Sequence, residues 1–321
     1  MKVSYKIAVI VLPLALVPFI DRNAYHMDVL TNVGLYSILA MGLGVAVGFT
    51  GLLNLGYAAF FGLGAYTYAL LNLHFHVPFW PGLILGGLVS MVFGLLIGIP
   101  AIRVRGDYLA ITTLGFGEIT RIAFNNLDKI TGGPNGLLGI ARPKIGSWSF
   151  SVDPTPYFYL VLFLAALTAY LLYRLSDSKF GRALVAIRED ELAAGCMGVP
   201  VLRTKLLAFG LSSFIAGVAG VVFASKQTIV TPDSFDFVLS VLLLAMVVLG
   251  GMGNIGGAVL GAVILGTLPE MLRAFATYRM LLFGLLMILV MIFRPQGLLG
   301  NPRIRRELAP PRPTGGDDAA S

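Results

Sequence analysis

Two stretches of this sequence carry side chains whose types and spacing could do chemistry. The first lies inside an apolar run from Asp107 to Asn125. At helical spacing Asp107, Leu114, Glu118, Arg121 and Asn125 fall on one face, with Thr112, Thr113, Gly115 and Gly117 beside it. An ionisable side chain at hydrocarbon depth costs at least ~2.5–3.5 kcal/mol and normally faces a bundle interior or a watery cavity. Glu118 and Arg121, three residues apart, can pair with each other and fix packing, or they can belong to a polar translocation wall. On either reading this face should not touch lipid.

The second stretch is polar and runs from 174 to 205. Phe180, Ala183, Leu184 and Ile187 recur at helical spacing, then come Arg188, Glu189, Asp190 and Glu191, then Leu192-Ala-Ala-Gly-Cys-Met-Gly198. The pattern predicts a short amphipathic helix, a charged cluster and a small-residue turn containing Ala193, Ala194 and Gly198. Such a helix could lie on a lipid surface through its basic residues. Three consecutive acids would be repelled by anionic headgroups, so a docking surface for a cytosolic protein fits better.

Other chemistry is excluded or poorly supported. No Gly-Lys dipeptide occurs, so the phosphate-cradling loop G-x-x-x-x-G-K-[ST] is absent and ATP must be bound elsewhere if it is used. His74 and His76 sit two apart at a span end, pointing in different directions, and predict a solvated turn rather than a metal site. The single Cys196 allows no internal disulfide and no Cys/His zinc cluster, and neither it nor His26 has partners for nucleophilic catalysis. A membrane enzyme is therefore a poor reading, and no catalytic residue, metal or cofactor is expected.

The elements that must position these residues are membrane helices. The 321 residues are 57% hydrophobic and 12% charged, against about 25% charged in globular chains, with a mean hydropathy of +0.86. At ~20 residues per crossing, ten apolar runs read as spans, near 7–20, 29–49, 56–73, 80–101, 108–125, 157–173, 205–224, 237–252, 257–272 and 280–293. The first could be a signal peptide but lacks a clear small-x-small site, so it is expected to be retained. With the N-terminus inside, 15 of the 23 Lys and Arg fall on the inner side and 7 on the outer, and Arg121 lies within a span. This bias predicts an even span count with both termini cytoplasmic. It also accounts for the net charge of +7 without a nucleic-acid partner.

Many of the 39 glycines lie within the apolar runs, where they permit close helix approach or a break that lines a cavity. Gly48-Phe-Thr-Gly-Leu-Leu-Asn-Leu-Gly56 is too rich in Gly and polar groups for one smooth helix. Gly51, Asn54, Gly56 and Ala58 are echoed at an offset of 200 by Gly251, Asn254, Gly256 and Ala258. Paired interruptions of this kind mark the pathway in many transporters. Residues 1–300 read as one transmembrane domain, and 301–321, rich in Pro and Gly, as a disordered cytoplasmic tail.

Several stretches together resemble the LivM-type permeases of branched-chain amino-acid ABC importers. They are Gly106-Asp-Tyr-Leu-Ala-Ile-Thr-Thr-Leu-Gly-Phe-Gly-Glu-Ile-Thr-Arg121, Thr131-Gly-Gly-Pro-Asn-Gly-Leu137, Ala186 to Gly198, Leu249 to Ala258 and Arg294-Pro-Gln-Gly-Leu298. Urea and short-amide permeases look similar. The resemblance implies an all-α ABC-importer permease of the bacterial inner membrane, with about ten transmembrane helices, some broken or re-entrant. It implies a second related permease, two cytosolic ATPases that bind the ATP, and an extracytoplasmic binding protein. Residues 186–198 are similar to the E-A-A-x-x-x-G coupling loop, with Leu192 where the motif has Glu, and with Ala193, Ala194 and Gly198 in register. The implied coupling set is Arg188, Glu189, Asp190, Glu191, Ala193, Ala194 and Gly198. The pathway set is Asn54, Thr112, Thr113, Glu118, Arg121 and Asn254, a helix N-terminus near Asn54 or Asn254 being suited to a substrate carboxylate. A self-sufficient secondary transporter is the rival, with Glu118 its one intramembrane carboxylate for ion coupling.

Overall fold

The computed structural model describes residues 23–102, 104, 106–145, 148–150, 155–271 and 297–299, with isolated positions at 18, 284, 288 and 292. Ten α-helices of more than one turn follow one another within them. They are α1 (Ala24–Gly44), α2 (Tyr57–Phe75), α3 (Phe79–Ala101), α4 (Asp107–Asn126), α5 (Thr155–Ser176), α6 (Lys179–Glu189), α7 (Glu191–Cys196), α8 (Val201–Gln227), α9 (Phe237–Gly250) and α10 (Ile255–Met271). Five segments are long and apolar enough to cross a membrane: Ala24–Phe49, Phe79–Ala101, Thr155–Ser176, Val201–Gln227 and Pro232–Gly250. The eight expected spans from 29–49 to 257–272 each coincide with a helix. The expected first and tenth spans and the 301–321 tail lie outside the described residues.

Burial separates two roles. Helix α8 packs along α2, α3 and α1 at the centre of the bundle. There Tyr57, Phe60, Tyr68 and Phe209 are fully enclosed. Close approach depends on glycine: a Cβ added to Gly64 would overlap the Gly217 backbone, and one added to Gly220 would overlap the Phe61 carbonyl. Helix α3 instead leaves Ile84, Leu88, Val92, Leu96 and Ile99 exposed in an apolar stripe, as a lipid-facing helix does.

Interruptions occur where the glycine pattern placed them. Helix α1 passes into a π-helical turn, Val45–Phe49, and the chain then runs irregularly to Gly56 before α2 begins. A second irregular stretch, 251–254, separates α9 from α10. Both carry a positive-φ glycine and the same Asn-to-backbone bond. Gly51 and Gly251 adopt positive φ, 72° and 111°. Asn54 Oδ1 accepts the Gly56 N–H at 3.1 Å, and Asn254 Oδ1 accepts the Gly256 N–H at 3.1 Å. The echo in sequence is thus an echo in local structure.

Connections sort to the two ends of the bundle as the alternation of spans requires. At one end, Gly48 lies against the Gly253 backbone, and the Leu298 N–H bonds the Leu249 carbonyl at 2.8 Å. The α6–α7 element lies at this end too, through Arg188. At the other end, Leu137–Leu138 pairs antiparallel with Ile229–Val230. The Ala141 N–H there bonds Asn72 Oδ1 at 2.8 Å. Lys226 Nζ at the same end ties α8 to α1 through Asp28 Oδ1 at 2.8 Å and Asn32 Oδ1 at 2.7 Å.

Candidate pathway wall and coupling element

Helix α4 is two-faced. Leu109, Ala110, Thr113, Thr120 and Phe124 recur at helical spacing and pack into the bundle. The opposite face exposes Tyr108, Ile111, Ile119 and Ile122. Glu118 and Arg121 lie at the border between them. Their side chains are 33% and 32% exposed, and Arg121 Nε and Nη2 each reach Glu118 Oε2 at 3.0 Å. The pair predicted from i,i+3 spacing therefore forms, but it is not enclosed by this chain. It borders an outward face instead. Thr112 sits on that exposed face and bonds back to the Tyr108 carbonyl.

Thr113 points the other way and fixes the first interruption. Its Oγ1 donates to the Ala110 carbonyl at 2.9 Å and accepts the Leu55 N–H at 3.0 Å. A Cβ on Gly56 would overlap the Thr113 carbonyl, so α4 crosses this turn with backbone against backbone. Asn54 is fully buried, and its Nδ2 has no hydrogen-bond partner. Ser240 of α9 caps the start of α2 by accepting the Ala58 N–H at 3.0 Å. Asn254 differs from Asn54 in that its Nδ2 is used, donating to the Leu299 carbonyl at 2.7 Å. Thr113 and Asn54 are thus brought together, whereas Glu118 and Arg121 lie further along α4 at its outward border.

The 174–205 stretch folds as its pattern predicts. Ser178 caps α6 by accepting the Gly181 N–H, and Leu184 and Ile187 are buried beneath the helix. Asp190 ends α6 and starts α7, its Oδ1 accepting the N–H groups of Leu192 at 2.8 Å and Ala193 at 3.0 Å. Glu191 pairs with the buried Lys205 Nζ at 2.8 Å. Of the three acids expected to meet a cytosolic partner, two are therefore engaged within the chain, and Glu189 is exposed. Ala194 is buried against the element, and Ala193 is exposed. Gly198 closes the turn at φ 83° with open space around it. Sequence reasoning missed the apolar tip: Leu192 is 69% exposed and Met197 85%. The signal was present, since Leu192 stands where the related motif has a charge. The partnership of Glu191 with Lys205, fourteen residues away, left no such signal.

Arg188 turns away from this tip. Its Nη1 donates to the Gly48 carbonyl at 2.6 Å, so it reaches into the bundle instead of towards a docking partner. Among the described residues no group of three or more His, Cys, Asp or Glu could hold a metal.

A bundle of apolar helices with paired interruptions, and a short helical element projecting at one end, defines a multi-pass membrane permease. The chain belongs to the family described as the permease component of the branched-chain amino acid transport system, whose pattern matches residues 25–291. It is 44% identical to the high-affinity branched-chain amino acid transport system permease protein LivM of Salmonella typhimurium, over 95% of this chain and 76% of that one. LivM of Escherichia coli K12 matches at the same identity and coverage. The permease protein LivH of Salmonella typhimurium is 27% identical over 84% of this chain and 93% of its own length. No solved structure matches.

Proposed function

We propose that this chain is one transmembrane half of an ATP-driven importer of branched-chain amino acids. It works with a second related permease, two cytosolic ATPases and an extracytoplasmic binding protein. The observation that carries this reading is the 44% identity to LivM over 95% of the chain. In this reading ten spans cross the membrane, both termini are cytoplasmic, and residues 50–56 and 251–254 are re-entrant. ATP is bound by the partner subunits, and this subunit carries out no covalent chemistry.

The geometry gives each part a task. The outward face of α4 is covered by the second permease, because a charged pair left against lipid would pay the intramembrane cost on both groups. Substrate then passes between the two permeases along Thr112, Glu118 and Arg121. Thr113 holds the turn that presents Asn54, whose buried amide is available to a substrate carboxylate when the helices move apart. Asn254 holds the corresponding turn before α10. The Leu192–Met197 tip inserts into the ATPase, with apolar contact supplying the affinity and Gly198 permitting the tight return. Arg121 Nε and Nη2 both engage Glu118 Oε2 at 3.0 Å, which argues against Glu118 as the proton carrier of a secondary transporter.

Competition for uptake in cells carrying the complete system tests the substrate. Leucine, isoleucine and valine should displace one another, and urea and acetamide should not. Preferential displacement by urea or acetamide would move the chain to the short-amide branch.

A further inference from the structure

Arg188 makes contacts that a docking residue would not need. It is borne on α6, in the element assigned above to the ATPase, yet its guanidinium enters the bundle at the meeting point of the two interruptions. Nη1 donates to the Gly48 carbonyl at 2.6 Å, within the π-helical end of α1. A Cβ built on Gly253 would stand 2.9 Å from the same nitrogen, and one on Gly51 would stand 3.3 Å from Arg188 Cγ. A Cβ on Gly48 would stand 2.6 Å from the Gly253 N atom. Three glycines, from the two stretches that echo each other, thus form the seat of one side chain.

Physical chemistry favours a cation there. The last carbonyls of a helix lack intrahelical partners and carry the negative end of its dipole. A guanidinium satisfies such a carbonyl with a charge-assisted bond while its flat face slides past backbone that has no Cβ. Lysine offers a single ammonium with no flat face and fills the same seat less well.

We infer that Arg188 is a positioning residue that locks the cytoplasmic α6–α7 element to both interrupted segments at once, so that displacement of α6 moves the α1–α2 and α9–α10 breaks together. This rests on the proposed docking of the ATPases to α7. It goes further by naming the side chain that passes the movement into the membrane. A seat built from both breaks also explains why they lie against each other at this end of the bundle.

The test uses the complete importer in proteoliposomes, comparing Arg188→Ala, Arg188→Lys and Arg182→Ala. Arg182 lies exposed on the same helix and its Nη1 donates to the nearby Asp177 carbonyl, so it serves as the control. Three quantities are read: ATPase co-purification, ATP hydrolysis stimulated by the binding protein, and leucine imported per ATP. Arg188→Ala should assemble and hydrolyse ATP, with leucine per ATP lowered about tenfold, inside the ~5–150-fold range of coupling between sites. Arg188→Lys should recover part of the ratio, leaving it about threefold low, and Arg182→Ala should leave it unchanged. An unchanged ratio in Arg188→Ala, or an equal fall in Arg182→Ala, overturns the inference. Should the Ala variant fail to assemble, an unchanged ratio in the Lys variant does the same. Failure of the docking assignment would show separately, as co-purification that survives a charge placed at Met197.

Discussion

At the residue scale, several charged groups among the described residues bind one another or the backbone, and their tasks differ from those their types suggest. Asp190 is a cap: with the Leu192 and Ala193 N–H groups on its Oδ1, removal of the acceptor costs about 0.5–2 kcal/mol. Asp190→Ala should therefore weaken ATPase co-purification, while Asp190→Asn, which keeps an acceptor, should retain it. An Asn variant as weak as the Ala variant would mean that the charge itself touches the ATPase. Glu118 and Arg121 make a second case. Either single change to Gln strands a charge that is only a third exposed, an expected loss of about 1–3 kcal/mol, below the ~3–5 of a fully enclosed pair. The double change should restore most of that stability, as measured by thermal unfolding of the assembled complex, although uptake need not recover. Equal losses in all three variants would refute the pairing. The pair was legible in the sequence because i,i+3 spacing on a helix is a geometric constraint. Its position at the edge of an outward face was not, since only the packing of α4 decides which side is buried.

Elements were legible in proportion to their periodicity. Eight expected spans coincide with helices because each is an apolar run closed by charge, Gly or Pro, and α6 because Phe180, Ala183, Leu184 and Ile187 share one face. The interruption after Gly48 was legible from its glycines. What escaped was the contact of one break with the other, and the seat of Arg188 between them, because a meeting of residues 140 apart leaves no local trace. The apolar tip of α7 yields the prediction proper to this scale. Met197→Asp places a charge on the most exposed part of the tip without touching the Asp190 cap or the Glu191–Lys205 bridge. ATPase co-purification should fall at least about tenfold, the equivalent of one ~1.4 kcal/mol contact, with membrane insertion intact. Retained co-purification would place the docking surface elsewhere. Packing within the membrane obeys the same logic: Gly64→Val sets a branched side chain into the Gly217 backbone and should prevent stable assembly, seen as aggregation on solubilisation.

At the scale of the whole molecule, the proposed ATPase-docking end is joined to the proposed pathway through the helical breaks. Orientation can be read with the native chain, since Cys196 is its single cysteine and is exposed at the end of α7. Expressed without the ATPases, the chain should react with a membrane-impermeant maleimide in inverted vesicles and not in intact cells. Labelling of intact cells would reverse the assigned sidedness. Composition made the membrane class legible. Along α4 and at the α7 tip the chain leaves Tyr108, Ile111, Leu192 and Met197 uncovered. The central claim is that this chain moves substrate only when ATPases drive it. Leucine uptake into proteoliposomes, with and without the ATPase subunits and with imposed ion gradients, tests this most directly. Uptake should require ATP, the ATPases and the binding protein, and should persist when ion gradients are collapsed. Accumulation of leucine by the permeases alone, driven by an ion gradient without ATP, would contradict it.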